Sequence, residues 1–199
     1  MEKQDKHKKS MQKQKTTVDA AIAHAQQEKS LVVLLTGDGK GKSSSAFGMV
    51  MRALGYGQRV TVVQFIKGEQ LSGEEMYLRE FCPHIPFYQM ATGFTWDTQD
   101  RIADSEAAER TWNFALKQLQ DSSLDLLVLD ELTYMLAYKY LDEAEVINAI
   151  QHRASQLSVV ITGRGGGSAL RDLADTVSEV KNIKHAFDTG VKARKGVDY

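Results

Sequence analysis

An α/β fold with a mostly parallel central sheet flanked by helices is predicted by two features of this 199-residue sequence. Short runs of β-branched and aliphatic residues alternate along the chain with segments whose apolar residues recur at helical spacing. Runs that are apolar on both faces belong to parallel sheets covered by helices, and strand–helix–strand alternation implies right-handed crossovers. The second feature is Leu31–Ser45, LVVLLTGDGKGKSSS, where an apolar run enters a glycine loop, a Gly-Lys-Ser triplet and then a helical pattern. That is the order a phosphate-binding P-loop requires. One P-loop NTPase-like domain is the expected architecture, large enough to build its own core.

Composition narrows the function classes. Lysine and arginine number 25 against 26 acidic residues, a formal net charge of −1, so bulk electrostatics point to no nucleic acid and no membrane as partner. A single cysteine, Cys82, excludes an intramolecular disulfide and a thiolate zinc site. The histidines (His7, His24, His84, His152 and His185) are scattered without metal-ligand spacing. No apolar run approaches membrane length, and the lysine-rich beginning lacks the apolar stretch of a signal peptide, so a cytoplasmic setting is expected.

Residues 1–29 read as an arm followed by a helix, with the P-loop domain spanning 30–199. Through about residue 16 the chain is polar, with Lys3, Lys6, Lys8, Lys9, Lys13 and Lys15, the composition of a solvated arm. Thr17 is a candidate N-cap for a helix to Lys29 with Val18, Ala21, Ile22 and Ala25 on one face. That face must dock on its own domain or on a second subunit. Leu31–Leu35 is the first strand. The helix after Ser43 turns Ala46, Phe47, Val50, Met51 and Leu54 to one side and stops at Gly55-Tyr56-Gly57. Arg59–Ile66 is the second strand, and Lys67–Glu75 a polar loop at its carboxyl end. Pro83 and Pro86 lead into a short strand, Phe87–Met90. Asp100–Gln120 is helical, with Ile102, Trp112, Ala115, Leu116 and Leu119 at helix spacing. Leu124–Leu129 is a buried strand, Asp142–His152 a helix with Leu141, Ala144, Ile147 and Ile150 inward, and Ser158–Thr162 a strand that closes on Gly163-Arg164-Gly165. A short helix (Leu170–Ala174), a short strand (Thr176–Val180) and a surface tail (Lys181–Tyr199) complete the chain.

The loop Gly37-Asp38-Gly39-Lys40-Gly41-Lys42-Ser43-Ser44 is the first candidate site. Its three glycines permit positive φ and close approach of the backbone to oxygen atoms. The nest of N–H groups at a helix N-terminus suits a polyphosphate, Lys42 adds a point charge, and the Ser43 hydroxyl can ligate Mg²⁺. Thr36 stands where the first glycine of the usual G-x-x-x-x-G-K-[ST] pattern falls, which leaves a tighter G-x-G-x-G-K-S loop. In an open parallel sheet the loops at the carboxyl ends of strands meet at the ligand crevice. Asp130 and Glu131 follow the run LLVL and occupy the place of a Walker B acid; either carboxylate can hold the metal opposite Ser43, and an acidic helix N-terminus is the alternative. Arg164 is a candidate phosphate contact or a solvated loop arginine. Arg52, nearly three turns into the P-loop helix, is a weaker candidate that a surface salt bridge explains equally well. Phe94 and Trp96, alternating in a Thr/Gly-rich loop, form either a satellite core or an apolar planar surface for a ligand beside the nucleotide.

These motifs coincide with those of a known family. The chain resembles the P-loop-type ATP:corrinoid adenosyltransferases, the CobA/CobO/BtuR class, from about Leu31 to its end. The resemblance is carried by GDGKGKSSSAFG (37–48), VVQFIKG (62–68), ATGFTW (91–96), VLDELTYM (128–135), ITGRG (161–165), DLADTVSE (172–179) and KHAFDTGVKARKGVDY (184–199). Ser43 and Ser44 replace expected threonines and keep the hydroxyl chemistry, and Asp38 stands where Asn is also common.

The resemblance implies transfer of the 5′-deoxyadenosyl group of ATP to the Co(I) of a reduced corrinoid such as cob(I)alamin, with release of inorganic triphosphate. Cob(I)alamin is itself a strong nucleophile, which accords with a chain that offers no catalytic triad. By resemblance, residues 37–44 and Arg164 contact ATP, with Arg52 kept only as the weaker candidate, and Lys42, Glu131 and Arg164 act on the leaving triphosphate. Ser43 with Glu131 or Asp130 holds Mg²⁺ (or Mn²⁺), and the ATP lies reversed relative to other P-loop enzymes so that C5′ faces the corrin. Phe94 and Trp96 match aromatics that shield the lower corrin face and favour a four-coordinate, more easily reduced cobalt. A homodimer, an N-terminal helix capping the partner's site and a flavoprotein reductase as electron donor are further family expectations. Two rival readings are a P-loop ATPase or kinase that cleaves at the γ-phosphate to give ADP, and a non-catalytic nucleotide switch. Neither needs an aromatic surface beside the nucleotide.

Overall fold

The computed structural model describes residues 2–66, 71–90 and 100–199. Six strands form one sheet in the order β3-β2-β4-β5-β1-β6, and every neighbouring pair is parallel. They are β1 (Val32–Thr36), β2 (Val60–Gln64), β3 (Phe87–Gln89), β4 (Leu126–Asp130), β5 (Ser158–Thr162) and β6 (Thr176–Glu179). Among the described residues seven α-helices accompany them: α1 (Glu2–His24), α2 (Lys42–Gly55), α3 (Gly73–Phe81), α4 (Arg101–Leu119), α5 (Leu132–Ala137), α6 (Glu143–Gln151) and α7 (Gly167–Leu173). The fold is the α/β, P-loop NTPase-like one read from the sequence.

The central strands are buried on both faces because their side chains alternate between two cores. Leu127 and Leu129 of β4, with Val159 and Ile161 of β5, join Trp112, Ala115 and Leu119 of α4 on one side. Leu126, Val128 and Val160 face the other side, against Ala46, Phe47 and Val50 of α2. Phe47 stacks on Phe87, their ring centroids 6.2 Å apart, which ties the P-loop helix to β3. Asp100 and Asp142 cap α4 and α6 by accepting backbone N–H groups in the first turn. β6, exposed along its length, is the edge strand beside β1.

Several sequence expectations are corrected. The N-terminal helix starts at Glu2 and ends at His24, so residues 2–16 are helical and 25–29 are not. Lysine, glutamine and glutamate lose little rotamer freedom in a helix, and here that propensity outweighs the reading of charge as disorder. Thr17 is mid-helix rather than an N-cap, its hydroxyl donating back to Lys13 O at 3.1 Å. Val18 and Ile22 are 49% and 66% exposed, so the apolar stripe of α1 is uncovered. The predicted polar loop 67–75 gives way at Gly73 to α3, whose N-cap Ser72 accepts from Glu75 N. The S-x-x-E spelling of a capping box was present in Ser72–Glu75. Met51 and Ile102 are 48% and 75% exposed rather than in the core, and in α6 Val146 is buried while Ala144 is exposed.

Gly48 lies within α2 at an ordinary helical φ, is exposed, and a Cβ there would meet nothing within 4 Å. Gly48→Ala is expected to stabilise the fold by about 0.5–1 kcal/mol through reduced chain entropy in the unfolded state. Thermal unfolding should register this as a rise of roughly 2 °C; a fall would mean that the helix face at Gly48 is needed for packing.

Candidate active site

The carboxyl ends of β1, β5, β4 and β2 lie side by side, and the residues that leave them converge on one cavity of about 1370 Å³. The loop after β1 forms its floor. α2 begins at Gly41 with no side-chain cap, so its first N–H groups lack an intrahelical or capping partner, the arrangement that accepts an anion. Lys42 is 7% exposed and its ammonium donates to Gly39 O at 2.8 Å, folded back across the loop. Burial is the main reason its pKa lies below the ordinary lysine value, with Arg164 adding to this and Glu131 opposing it. The loop conformation is set partly from outside. Gly37 has φ 99°, and a Cβ on it would stand 2.4 Å from Val180 O, just beyond β6. Gly39, expected at positive φ, is not among the residues with positive φ; it lacks room instead, its N–H donating to Val180 O at 2.7 Å.

The acidic pair is split by its neighbours. Asp130 is 1% exposed; one oxygen accepts from Thr162 Oγ1 at 2.6 Å and the other from Gln64 Nε2 at 2.9 Å. Glu131 sits in the left-handed region at φ 60°, ψ 23°, and its N–H donates to Thr162 Oγ1 at 2.9 Å. Its Oε2 is buried with no hydrogen-bond partner. Burial first, then the adjacent Asp130 charge, raise its pKa to about 7, while Lys42 and Arg164 pull it down. A partner-free carboxylate oxygen, with the Ser43 hydroxyl lining the same cavity, is a donor set suited to a hard divalent cation. Among the described residues no group of three or more His, Cys, Asp and Glu is placed to hold a metal, so any cation here would draw most of its ligands from water and substrate.

The β5 loop is locked against α5. A Cβ on Gly163, at φ 138°, would be 2.0 Å from Thr133 Oγ1. That hydroxyl donates to Arg164 O at 2.8 Å. Arg164 is exposed and lines the cavity. Asp38, Gly39, Lys40, Gly41, Lys42, Ser43 and Ser44 line it as well. Gly37 does not, and Arg52, the weaker ATP candidate, is exposed and not among the lining residues; nearly three turns along α2 it is carried past the loop. Lys40 pairs with Asp198 at 3.0 Å, so the tail from Lys181 is more than surface cover. It brings Asn182, His185, Asp198 and Tyr199 to the cavity. Phe94 and Trp96 lie outside the described residues. Gln64, Thr133, Tyr134, Thr162 and the tail residues were missed by sequence reasoning. For Gln64 and Thr162 the available signal was a polar side chain at the carboxyl end of a buried strand.

A glycine loop between the first strand and a long uncapped helix, a buried lysine across it and an acid at a neighbouring strand end place the chain in the class of P-loop NTPase-like α/β proteins. The family model for the ATP:corrinoid adenosyltransferases BtuR/CobO/CobP matches residues 28–199. A corrinoid adenosyltransferase of Escherichia coli (strain K12) is 50% identical over 196 residues, 98% of this chain and 98% of its own. Corrinoid adenosyltransferase CobA of Salmonella typhimurium (strain LT2) is likewise 50% identical over 196 residues, covering 98% of each chain. A corrinoid adenosyltransferase of Pseudomonas aeruginosa is 46% identical over 198 residues, 100% of this chain and 98% of its own. The chain belongs to the ATP:corrinoid adenosyltransferase family.

Proposed function

We propose that this chain is an enzyme that transfers the 5′-deoxyadenosyl group of ATP to the Co(I) of a reduced corrinoid, giving an adenosylcorrinoid such as adenosylcobalamin. The electron pair on Co(I) forms the Co–C5′ bond as the C5′–O bond breaks, and the pair from that bond leaves with inorganic triphosphate. The observation that carries this reading beyond family membership is the open cavity over the glycine loop, which at about 1370 Å³ is larger than the usual small-molecule pocket and leaves room for a second substrate beside the nucleotide. The nucleophile is brought by the substrate, so the protein's task is orientation of C5′ and stabilisation of the leaving group.

The α2 amides, Lys42 and Arg164 are assigned to the triphosphate, with Asp38, Gly39, Lys40, Gly41, Ser43 and Ser44 around it. Ser43 and Glu131 are assigned as protein ligands of Mg²⁺ or Mn²⁺, which when bound would neutralise charge on the triphosphate. Asp130, engaged by Gln64 and Thr162, is assigned to hold the strand end rather than the ion. Phe94 and Trp96 are assigned to the lower corrin face, on the resemblance of ATGFTW alone. A cytoplasmic setting and a flavoprotein reductase that supplies electrons to the corrinoid are proposed on the family resemblance; no helix of the described residues is long and apolar enough to cross a membrane.

The decisive experiment is anaerobic incubation with Mg-ATP and chemically generated cob(I)alamin. Expected products are adenosylcobalamin, read from its visible spectrum, and triphosphate. ADP and phosphate with cobalt left unalkylated would overturn the reading in favour of a P-loop ATPase or kinase.

The division into residues 1–29 and 30–199 is also proposed as functional: α1 caps the site of a second subunit in a homodimer. The uncovered Val18 and Ile22 support it. Removing residues 1–29 is expected to lower kcat/KM for the corrinoid while leaving ATP binding intact; unchanged corrinoid kinetics would remove the cap.

A further inference from the structure

One buried acceptor beside the site has no partner and no role so far. Gln64 ends β2, is 6% exposed and lines the cavity. Its amide orientation follows from its neighbour. Nε2 donates to Asp130 Oδ2 at 2.9 Å, which leaves the amide oxygen on the other side. The remaining atom, Oε1, is buried and accepts no hydrogen bond. An amide oxygen left in that condition is destabilising, because its lost hydration is not replaced. Asp130 accepts from Gln64 and Thr162, and Thr162 accepts from Glu131 N. Two buried acceptors on this strand end are left without a partner, Gln64 Oε1 and Glu131 Oε2.

The ligands of the site narrow what can satisfy it. Triphosphate oxygens only accept and would repel Oε1. Magnesium dehydrates reluctantly and keeps several waters, each presenting polarised O–H donors. Gln64 is paired in register with Asp130, and it lines the same cavity as Ser43 and Glu131, the residue that carries the partner-free carboxylate oxygen.

We propose that Gln64 is a positioning residue for the metal: Oε1 accepts from a water on the cation while Nε2 holds Asp130 in place. One side chain thereby couples the hydration shell of the ion to the ends of β2 and β4. The inference rests on the assignment of a divalent cation to Ser43 and Glu131.

The test compares ATP affinity in Mg²⁺ and in EDTA by calorimetry, and reads Mn²⁺ binding to the ATP complex by electron paramagnetic resonance. Gln64→Met keeps the length and bulk of the side chain without its amide. Its ATP affinity in EDTA should match the wild type. Its affinity in Mg²⁺ should fall about tenfold, the low end of what outer-shell partners of metals contribute, with Mn²⁺ affinity falling in parallel. Gln64→Glu keeps an acceptor oxygen of the same reach on the cavity side, so it should recover most of the loss. Equal weakening of Gln64→Met in EDTA and in Mg²⁺ would mark packing damage and overturn the inference, as would unchanged Mg²⁺ affinity or a Gln64→Glu variant as weak as Gln64→Met. If wild-type affinity does not depend on metal, the metal assignment fails along with it. If the wild type depends on Mg²⁺ and Glu131→Gln abolishes that dependence while Gln64→Met retains it at full wild-type size, the Gln64 inference fails alone.

Discussion

Glu131→Gln is expected to make the ligand-free protein more stable at pH 8 while abolishing metal-dependent ATP binding and adenosyl transfer. The carboxyl of Glu131 titrates near pH 7 in the folded chain, against an ordinary value of 4.5, because burial and the Asp130 charge disfavour its ionised form. The folded state therefore binds this proton more tightly than the unfolded state. Stability falls as pH rises from about 4.5 to about 7, and above pH 7 the whole penalty is present. The separation corresponds to about 3 kcal/mol as an upper bound. Glutamine has the same shape and does not ionise, so the variant escapes the penalty. Its thermal midpoint at pH 8 should exceed that of the wild type by roughly 3–8 °C, with the gap closing towards pH 4.5. Turnover should fall by at least about a hundredfold, the usual cost of removing a group that stabilises a leaving anion. A variant less stable than the wild type at pH 8 would show that the fold stabilises the ionised carboxylate of Glu131 rather than penalising it. The same linkage predicts that Mg-ATP binding below pH 7 releases a proton in the wild type and none in the variant.

The second large effect is expected at Gly37. Alanine there would set a Cβ 2.4 Å from Val180 O at a φ of 99°, and the obstacle is backbone that cannot rotate away. Val180 is itself anchored, donating from its N–H to Thr36 O at 2.8 Å and accepting from Gly39 N–H at 2.7 Å. The substitution must therefore separate the loop from the end of β6. Left-handed strain of about 1–2 kcal/mol adds to overpacking of about 1–3 kcal/mol. Gly37→Ala should lose roughly 2–5 kcal/mol in urea unfolding, the sum of those two contributions. ATP binding should be lost with it, because the amides of residues 38–41 move. Gly41→Ala supplies the control: its added Cβ meets nothing within 4 Å, so it carries backbone strain alone and should unfold at a higher urea concentration than Gly37→Ala. Equal midpoints for the two would mean that β6 yields to the loop.

The elements legible in the sequence were those with strong local signals. β5 runs over Ser158–Thr162 as read, and α4 and α6 start one residue after the aspartates that cap them. Failures came where a weak signal was outweighed. Residues 2–16 look solvated by charge yet are helical by propensity. α3 was hidden by a loop reading that ignored Ser72 and Glu75, although their spacing announces a cap. Ile102 and Ala144 sit near the helical period, but both lie on the exposed sides of their helices.

By itself the sequence determined the alternation of strands and helices, the glycine loop with Lys42 and Ser43, and the acidic strand end at Asp130 and Glu131. Each of these is a local pattern whose backbone consequences follow within a few residues. Its motifs also placed the chain among the corrinoid adenosyltransferases. Tertiary structure alone decided which of two adjacent acids keeps a free oxygen, because the groups that occupy Asp130 come from Gln64 and Thr162 on two other strands. It decided that Lys40 is drawn to Asp198 in the tail, that Arg52 lies off the cavity, and that Gly37 is constrained by Val180. In every one of these cases the deciding partner is remote in sequence, and parallel crossovers rather than local spacing bring it to the strand ends.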